Sequence, residues 1–252
     1  MISPRGKAMA ADVSAASVTA PTFGEATSLL PLVRLLQLAS PALPIGAYSY
    51  SQGLEWAVEV GEVHDAATAG VWIGDVLELV MASGEAALLF RLLAAAEQND
   101  WPRFATWNAW FRASRETAEL RAETEQTGGS LAKLLSDLGR IDSRELQTLR
   151  DLGPITLPGA FAVAARAFAV PVDAALTGYV WSWLENQVLA AIKLVPLGQV
   201  AGQRLLTALG EKIPRVVATA MAIDDADLST FAPGLCLASA RHETQYSRLF
   251  RS

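Results

Sequence analysis

The spacing of apolar residues is the feature that most constrains what this 252-residue chain can fold into. From about Leu29 onward, apolar side chains recur every three or four positions, and alternating β-branched runs of the kind seen in strands are absent. In residues 173–194 they form one continuous stripe, made of Leu176, Val180, Trp183, Leu184, Val188, Ala191 and Ile192. This spacing is typical of amphipathic helices. The sequence therefore predicts an all-α protein.

The chain shows no repeat of fixed period and no linker poor enough in apolar residues to divide it. We therefore expect a single domain of about ten helices over residues 29–252. Residues 1–28 are rich in Ala, Ser and Thr, and Phe23 is their only aromatic residue. A segment of this composition buries little apolar surface, so the sequence predicts a disordered N-terminal tail.

Capping residues and glycines suggest where the helices begin and end. The candidate N-caps are Ser49 (with Gln52 completing a capping box), Asp65, Ser83, Asp100 and Asp142. Gly61 is expected to end one helix, and Gly128 with Gly129 to interrupt another. The later helices are predicted at about 159–168, 173–194, 198–210 and 213–222, followed by a short amphipathic segment from about residue 238.

The composition leaves a surplus of apolar residues to be placed. Apolar residues make up 52% of the chain and charged residues 18%, with a net charge of −6. An alanine-rich core, a membrane or a protein partner could take up the surplus. A spanning helix needs about 20 predominantly apolar residues, and charged residues interrupt the two longest candidate stretches, namely Asp75, Glu78, Glu85 and Arg91 in one and Glu185 and Lys193 in the other. We therefore expect no membrane partner and, because the chain is acidic, no nucleic acid.

The residue types that most often act as nucleophiles, bases or metal ligands, cysteine and histidine, are scarce. There is one cysteine, Cys236, and the only histidines are His64 and His242. One cysteine permits no disulfide within the chain, which fits a cytoplasmic protein. No nucleophile–base motif or phosphate-binding loop is present. The sequence therefore predicts a protein that is not an enzyme and has no metal site or cofactor, although a site shared between two subunits through His242 or Cys236 stays open.

Three segments carry a family resemblance. Residues 36–55 contain S-P-A-L-P-I-G-A-Y-S-Y-S-Q-G-L-E, residues 113–128 contain R-E-x-x-E-L-R-x-E-x-x-Q-x-G, and residues 242–252 read H-E-T-Q-Y-S-R-L-F-R-S. In this order and spacing, the chain resembles the urease accessory protein F (UreF) family over residues 29–252. It departs only at Ala47, where a second glycine often follows Gly46.

The resemblance implies an all-α homodimer in the cytoplasm without turnover of its own. It implies a chaperone-like scaffold that works with the accessory protein UreD (also called UreH) and the GTPase UreG in delivering nickel to apo-urease. One alternative is a regulator of the partner GTPase that acts through a C-terminal arginine, Arg248 or Arg251. A second alternative, a helical ligand-binding protein, would need a sizeable apolar pocket.

Partner-binding residues are predicted in the same segments: Tyr48, Tyr50, Glu55, Arg121, His242, Glu243, Tyr246, Arg248, Leu249, Phe250 and Arg251. The two tyrosines could equally be packing residues, and Arg121 could belong to a surface ion-pair ladder with Arg115 and Glu119. Drawn as a helix, the C-terminal segment places His242, Tyr246, Leu249 and Phe250 on one apolar stripe. We expect it to dock a partner and to stay partly disordered until then, with packing on its own domain as the alternative.

Overall fold

The computed structural model describes residues 29–252, so the predicted N-terminal tail lies outside the described residues. The helices are α1 (Leu30–Leu38), α2 (Leu54–Glu59), α3 (Ala66–Glu97), α4 (Trp101–Ser114), α5 (Ala118–Asp137), α6 (Ser143–Asp151), α7 (Leu157–Ala167), α8 (Val172–Leu194), α9 (Gln199–Gly210), α10 (Ile213–Ala222) and α11 (Pro233–His242). No strand occurs within residues 29–252. The predicted all-α, single-domain fold is confirmed.

Helix α7 lies at the centre of the core. Every residue from Pro158 to Ala165 is buried, and the helix packs mainly against α5 and the C-terminal part of α3. Its alanines and glycine are small, which lets neighbouring helix backbones approach closely. A good part of the apolar surplus is therefore core alanine.

Helix α3 does not break where the sequence suggested. Ser83 was predicted to cap a new helix, but the helix runs through it, with a π-helical stretch at Val76–Glu85. The Ser83 hydroxyl instead donates to the carbonyl of Leu79, one turn earlier, at 2.8 Å. A serine can satisfy its hydroxyl within a helix in this way, so it need not mark a helix start.

Helix α3 is also long and apolar enough to cross a bilayer by length and composition alone. In the fold, 78% of its most apolar window is buried against other helices. A core helix of a soluble protein passes the same test, so this finding is weak support for a membrane span. The expectation of no membrane partner stays a prediction.

The break between α4 and α5 falls earlier than predicted. Helix α5 begins after Thr117, whose hydroxyl accepts the Leu120 backbone N–H at 3.2 Å, and it continues through both Gly128 and Gly129. A Cβ at Gly128 would lie 2.5 Å from the carbonyl oxygen of Ile155. This glycine therefore allows close packing against the segment before α7 and does not form a turn.

The remaining helix ends are mostly as predicted. Asp65, Asp100 and Asp142 each accept a backbone N–H in the first turn of their helices. The capping box at Ser49 is wrong, because α2 begins only after Gly53, where φ is +81°. The four later helices lie within two residues of their predicted bounds.

Candidate partner-binding site

The three segments that carry the family resemblance meet at one place in the fold. After α11 ends, residues 243–252 run back over α2 and the N-terminal half of α5. The Ser252 carbonyl accepts hydrogen bonds from the Ser51 backbone N–H at 2.7 Å and from the Ser51 hydroxyl at 2.5 Å. We call residues 48–55, 118–121 and 239–252 together the C-terminal clasp.

Glu55 holds the returning chain by its backbone. Its carboxylate is buried on α2 and accepts the N–H of Leu249 at 2.7 Å and that of Phe250 at 2.9 Å. The same carboxylate lies 3.0 Å from Nε2 of His242. Two successive backbone donors on one carboxylate fix both the position and the direction of the tail.

His242 joins the tail to α5. Its side chain is fully buried, and Nδ1 lies 2.7 Å from Oε2 of Glu119. The other oxygen of Glu119 accepts from the Arg248 guanidinium at 2.6 Å. A neutral imidazole has only one N–H. The two contacts, to Glu55 and Glu119, are therefore both satisfied when the imidazole or one of these carboxyl groups carries an additional proton.

Glu243 stabilises the start of α5. Its Oε1 accepts the backbone N–H of Ala118 at 2.8 Å and that of Glu119 at 3.3 Å. These donors belong to the first turn, where backbone N–H groups lack partners within the helix and a negative charge is favourable. The C-terminal clasp therefore orients α5, which in turn carries Glu119.

The predicted amphipathic helix at the C-terminus is wrong. The chain is irregular from Glu243 onward, because Ser51 and Glu55 take up backbone groups that a helix would have used. His242 and Phe250 are buried, whereas Tyr246 is fully exposed and Leu249 is 77% exposed. The segment packs on its own domain, as the alternative interpretation held.

Of the other predicted partner-binding residues, some make contacts within the domain and others lie at its surface. Tyr50 is buried and its hydroxyl donates to Gln126 at 2.8 Å, so this tyrosine packs within its own domain, as the alternative interpretation held. Arg121 donates to the carbonyl of Arg115 at 2.9 Å. Tyr48 is 60% exposed and shares a surface groove of about 600 Å³ with Arg251.

A set of buried polar residues beneath the clasp, two of which (Gln52 and Ser252) also belong to it, was not recognised as a group from the sequence. Arg115 donates to Glu85 at 3.3 Å, and the Tyr179 hydroxyl donates to the other Glu85 oxygen at 2.5 Å. Glu123 accepts from Gln52 at 2.9 Å and from the Ser252 hydroxyl at 3.2 Å. We call these residues the interior cluster. All of them except Ser252 line a cavity of about 60 Å³.

Burial is the main electrostatic influence on the interior cluster. Burial, with a smaller contribution from the nearby Glu85 carboxylate, raises the pKa of Glu123 to about 7, against the opposing hydrogen bonds from Gln52 and Ser252 and the charge of Arg115. Burial and Glu85 also raise the pKa of Tyr179. Glu85 was noted in the sequence only as a charge that interrupts a long apolar run, and its burial was not predicted.

The described residues offer little to a metal ion. Within residues 29–252, no group of three or more His, Cys, Asp or Glu side chains is arranged to hold one. The clasp carboxylates are occupied by backbone and side-chain donors. The expectation of a chain without its own metal site stays a prediction.

Comparison with known proteins places these features in a family. The family model for UreF matches residues 63–210. The chain is 56% identical to the urease accessory protein UreF of Azoarcus sp. over 229 residues, covering 90% of this chain and 98% of that protein. It is 48% identical to UreF of Methylobacillus flagellatus over 88% of this chain and 97% of that one. It is 54% identical to the bifunctional urease accessory protein UreEF of Bordetella bronchiseptica over 88% of this chain and 52% of that protein. The chain therefore belongs to the UreF family of urease accessory proteins.

Proposed function

We propose that this UreF-family protein is a dimeric cytoplasmic scaffold that works with UreD (UreH) and the GTPase UreG in delivering nickel to apo-urease. The observation that carries the proposal is the C-terminal clasp. It holds Tyr48, Tyr246, Arg248, Leu249 and Arg251 at the surface on a base of buried hydrogen bonds, and we call these five residues the clasp surface. The chain's part in maturation is to hold partners together, and it needs no turnover of its own.

The exposed residues are of the types that dominate protein interfaces. Tyrosine and arginine are enriched among the residues that contribute most to binding, and an apolar neighbour such as Leu249 excludes water from such contacts. The Glu55 and Ser51 hydrogen bonds hold the backbone beneath them. A surface that is ordered before binding loses less conformational entropy on association.

A relative gives independent support for action beside other accessory proteins. The Bordetella bronchiseptica protein is named as a bifunctional UreEF, and this chain spans about half of its length. A UreF-like unit there shares one chain with a second accessory function. Covalent linkage raises the effective concentration of one unit at the other.

A second candidate function is regulation of the partner GTPase by an arginine, and one observation selects the residue. Arg248 is held by the Glu119 carboxylate at 2.6 Å. Arg251 is exposed, its guanidinium donates to the neutral amide oxygen of Gln126 at 3.2 Å, and within residues 29–252 no carboxylate forms an ion pair with it. Arg251 can therefore turn toward a partner at less cost. Under this hypothesis, Arg251→Ala changes GTP hydrolysis by UreG in the complex without reducing binding.

Co-purification tests the scaffold proposal. A tagged Tyr48→Ala, Leu249→Ser variant is expected to lose capture of UreD or UreG, because both changed side chains are exposed and lie on the clasp surface. Val200→Ser is the matched control, since Val200 is 66% exposed on α9. All proteins should show similar melting temperatures. Normal capture of both partners by the double variant would contradict the proposal.

The dimer is tested separately by light scattering. The chain mass is 26.8 kDa, so a homodimer should give about twice that value. A monomer at all concentrations would remove the dimer from the proposal and leave the clasp surface as a monomeric docking site.

A further inference from the structure

Exposed apolar side chains are concentrated on the outer side of α1. Of the 17 large apolar side chains that are exposed within residues 29–252, five lie within eight consecutive positions at this helix. Each is about half exposed, and they are Leu29, Leu30, Leu32, Val33 and Leu36. Single exposed apolar residues are common, but a contiguous group of this kind marks an interaction site. We call these five residues, together with the exposed Gln37, the α1 face.

The α1 face is one continuous surface on a helix that is already fixed in place. Its members recur at intervals of three and four positions, so they share one side of the helix. On the opposite side, Leu38 is buried and Leu35 packs into the space beside Gly178 of α8. The inner side therefore holds α1 on the domain, and the outer side is ordered before it meets a partner.

The α1 face carries no charge. Its one polar member, Gln37, has an amide that can both donate and accept hydrogen bonds. The only charged residue of α1 is Arg34, which lies at the edge of the face, 5.5 Å from the centre of the Phe168 ring, and donates to Gln37 at 3.0 Å.

The net charge of the chain favours a second copy of itself at such a surface. Each copy carries a net charge of −6, so two copies repel each other across most of their charged surfaces. A surface without charge avoids this repulsion. It also offers no charge pattern by which a partner of opposite charge would be selected.

The size and composition of the α1 face fit the centre of a homodimer interface. Five large side chains at about half exposure offer roughly 450 Å² per copy, against about 500 Å² per partner for the smallest stable interfaces. Homodimer interfaces are more apolar than the rest of a protein surface, and charged residues are depleted at their centre. Five apolar residues and one amide match that composition.

We infer that the α1 face forms the centre of the homodimer interface, where α1 packs antiparallel against α1 of a second copy. The inference rests on the homodimer of the proposed function and names the surface that forms it. In a two-fold dimer each contact occurs twice. Leu29 therefore packs against the partner's Leu36, and Val33, at the middle of the face, lies next to the axis and meets the partner's Val33.

Two aspartates on the α1 face test the inference by light scattering of the full-length protein. Val33→Asp with Leu36→Asp should weaken the dimer at least about 100-fold, because unpaired charges would be buried at the interface in both copies. The mass should fall to that of the 26.8 kDa chain. Val71→Asp with Val200→Asp is the matched control, since these valines are 64% and 66% exposed on α3 and α9, and it should remain a dimer. Circular dichroism should show the same helix content for both variants.

A single cysteine tests the symmetry without introducing a charge. In a Cys236→Ser background, which removes the chain's only cysteine, Val33→Cys places one thiol next to the expected axis. A disulfide requires the two Cα atoms to lie within about 7 Å. A mild oxidant should therefore join most of these chains into covalent dimers. Val200→Cys in the same background is the control and should stay uncross-linked.

Two results overturn the inference while the homodimer of the proposed function stands. One is an unchanged protein that is dimeric together with a Val33→Asp, Leu36→Asp variant that is dimeric as well. The other is a dimeric protein in which Val33→Cys cross-links no more than Val200→Cys. Either result would assign the α1 face to another occupant, whether residues 1–28 of the same chain or a different protein. If the unchanged protein is a monomer at all concentrations, the proposed homodimer itself fails and the inference fails with it.

Discussion

The C-terminal clasp and the interior cluster are both built around two glutamates, but they satisfy them differently. In the clasp, Glu55 and Glu119 receive two backbone N–H groups, an imidazole and a guanidinium. In the interior cluster, Glu85 and Glu123 have a single buried guanidinium, that of Arg115, together with neutral donors.

The two regions differ in the number and charge of the donors that replace the lost water around each buried carboxyl group. Burial raises the pKa of Glu123 to about 7, since neutral donors do not fully replace the lost water. The clasp solves the same problem with donors drawn from three distant segments. The stability of the clasp therefore depends on keeping every partner, and the raised pKa of Glu123 adds a dependence on pH to the interior cluster.

The largest effect is expected from Glu55→Ala. The change leaves the N–H groups of Leu249 and Phe250 and the buried His242 without their acceptor, which should cost about 3–5 kcal/mol of unfolding free energy. Urea denaturation measures it. Glu59→Ala, an exposed change on the same helix, is the control and should stay within about 0.5 kcal/mol. A small loss at Glu55 would mean that the clasp is not a stabilising structure.

Glu123→Gln tests the pH dependence of the interior cluster. The pKa of Glu123 is about 7 in the fold, above the ordinary 4.5. Its contribution is therefore fully present below about pH 4.5 and is lost as the pH rises through about 7, by about 3 kcal/mol in all. Glutamine cannot ionise, so the variant should show a flatter profile and be more stable than the unchanged chain at pH 8. Unfolding by urea at several pH values measures both, and parallel profiles would contradict the prediction.

Two adjacent glycines, Gly128 and Gly129, lie on α5, the helix that carries both Glu119 and Glu123. Replacing each by alanine is expected to change the stability by an intermediate amount. Gly128→Ala should cost about 1–3 kcal/mol, because its Cβ meets the Ile155 carbonyl oxygen at 2.5 Å. The Cβ added by Gly129→Ala would have no tertiary neighbour within 4 Å, so this change should stabilise the helix by about 0.5–1 kcal/mol. Thermal melting distinguishes them, and equal effects would show that α5 is not packed tightly against the segment before α7.

Arg248→Ala should have the smallest effect on the fold. The Arg248 side chain is 39% exposed, and partly solvated ion pairs contribute at most about 1 kcal/mol. Stability should change little in urea, while partner capture falls. A loss as large as that expected for Glu55→Ala would place Arg248 among the supporting residues of the clasp, and not on its binding surface.

The sequence predicted those features that depend on neighbours along the chain. Asp65, Asp100 and Asp142 were identified as helix caps because a cap is formed by residues three positions apart. The later helices were placed well because their apolar stripes are long and regular. Most of the residues of the clasp were found as well, through the family resemblance and not through periodicity.

Features that depend on distant contacts were missed. Gly128 was interpreted as a helix break. The structure instead requires a glycine there because the backbone of Ile155 packs against it, and Ile155 lies 27 positions away in the chain. Residues 243–252 were drawn as a helix because nothing local indicates that Glu55 accepts their backbone N–H groups. Glu123 gave no local sign of an unusual pKa, since its burial arises from the whole fold.

The clasp also has a consequence for the order in which the protein is made. The Ser51 and Ser252 groups that close it are 201 positions apart, so the site cannot assemble until translation has passed residue 252. A growing chain can fold helices as they leave the ribosome, but it cannot yet hold Leu249 or Arg251 in place. A nascent or C-terminally clipped chain would then possess most of its core and no clasp surface. Partners that bind this surface would engage only chains whose synthesis has reached that point.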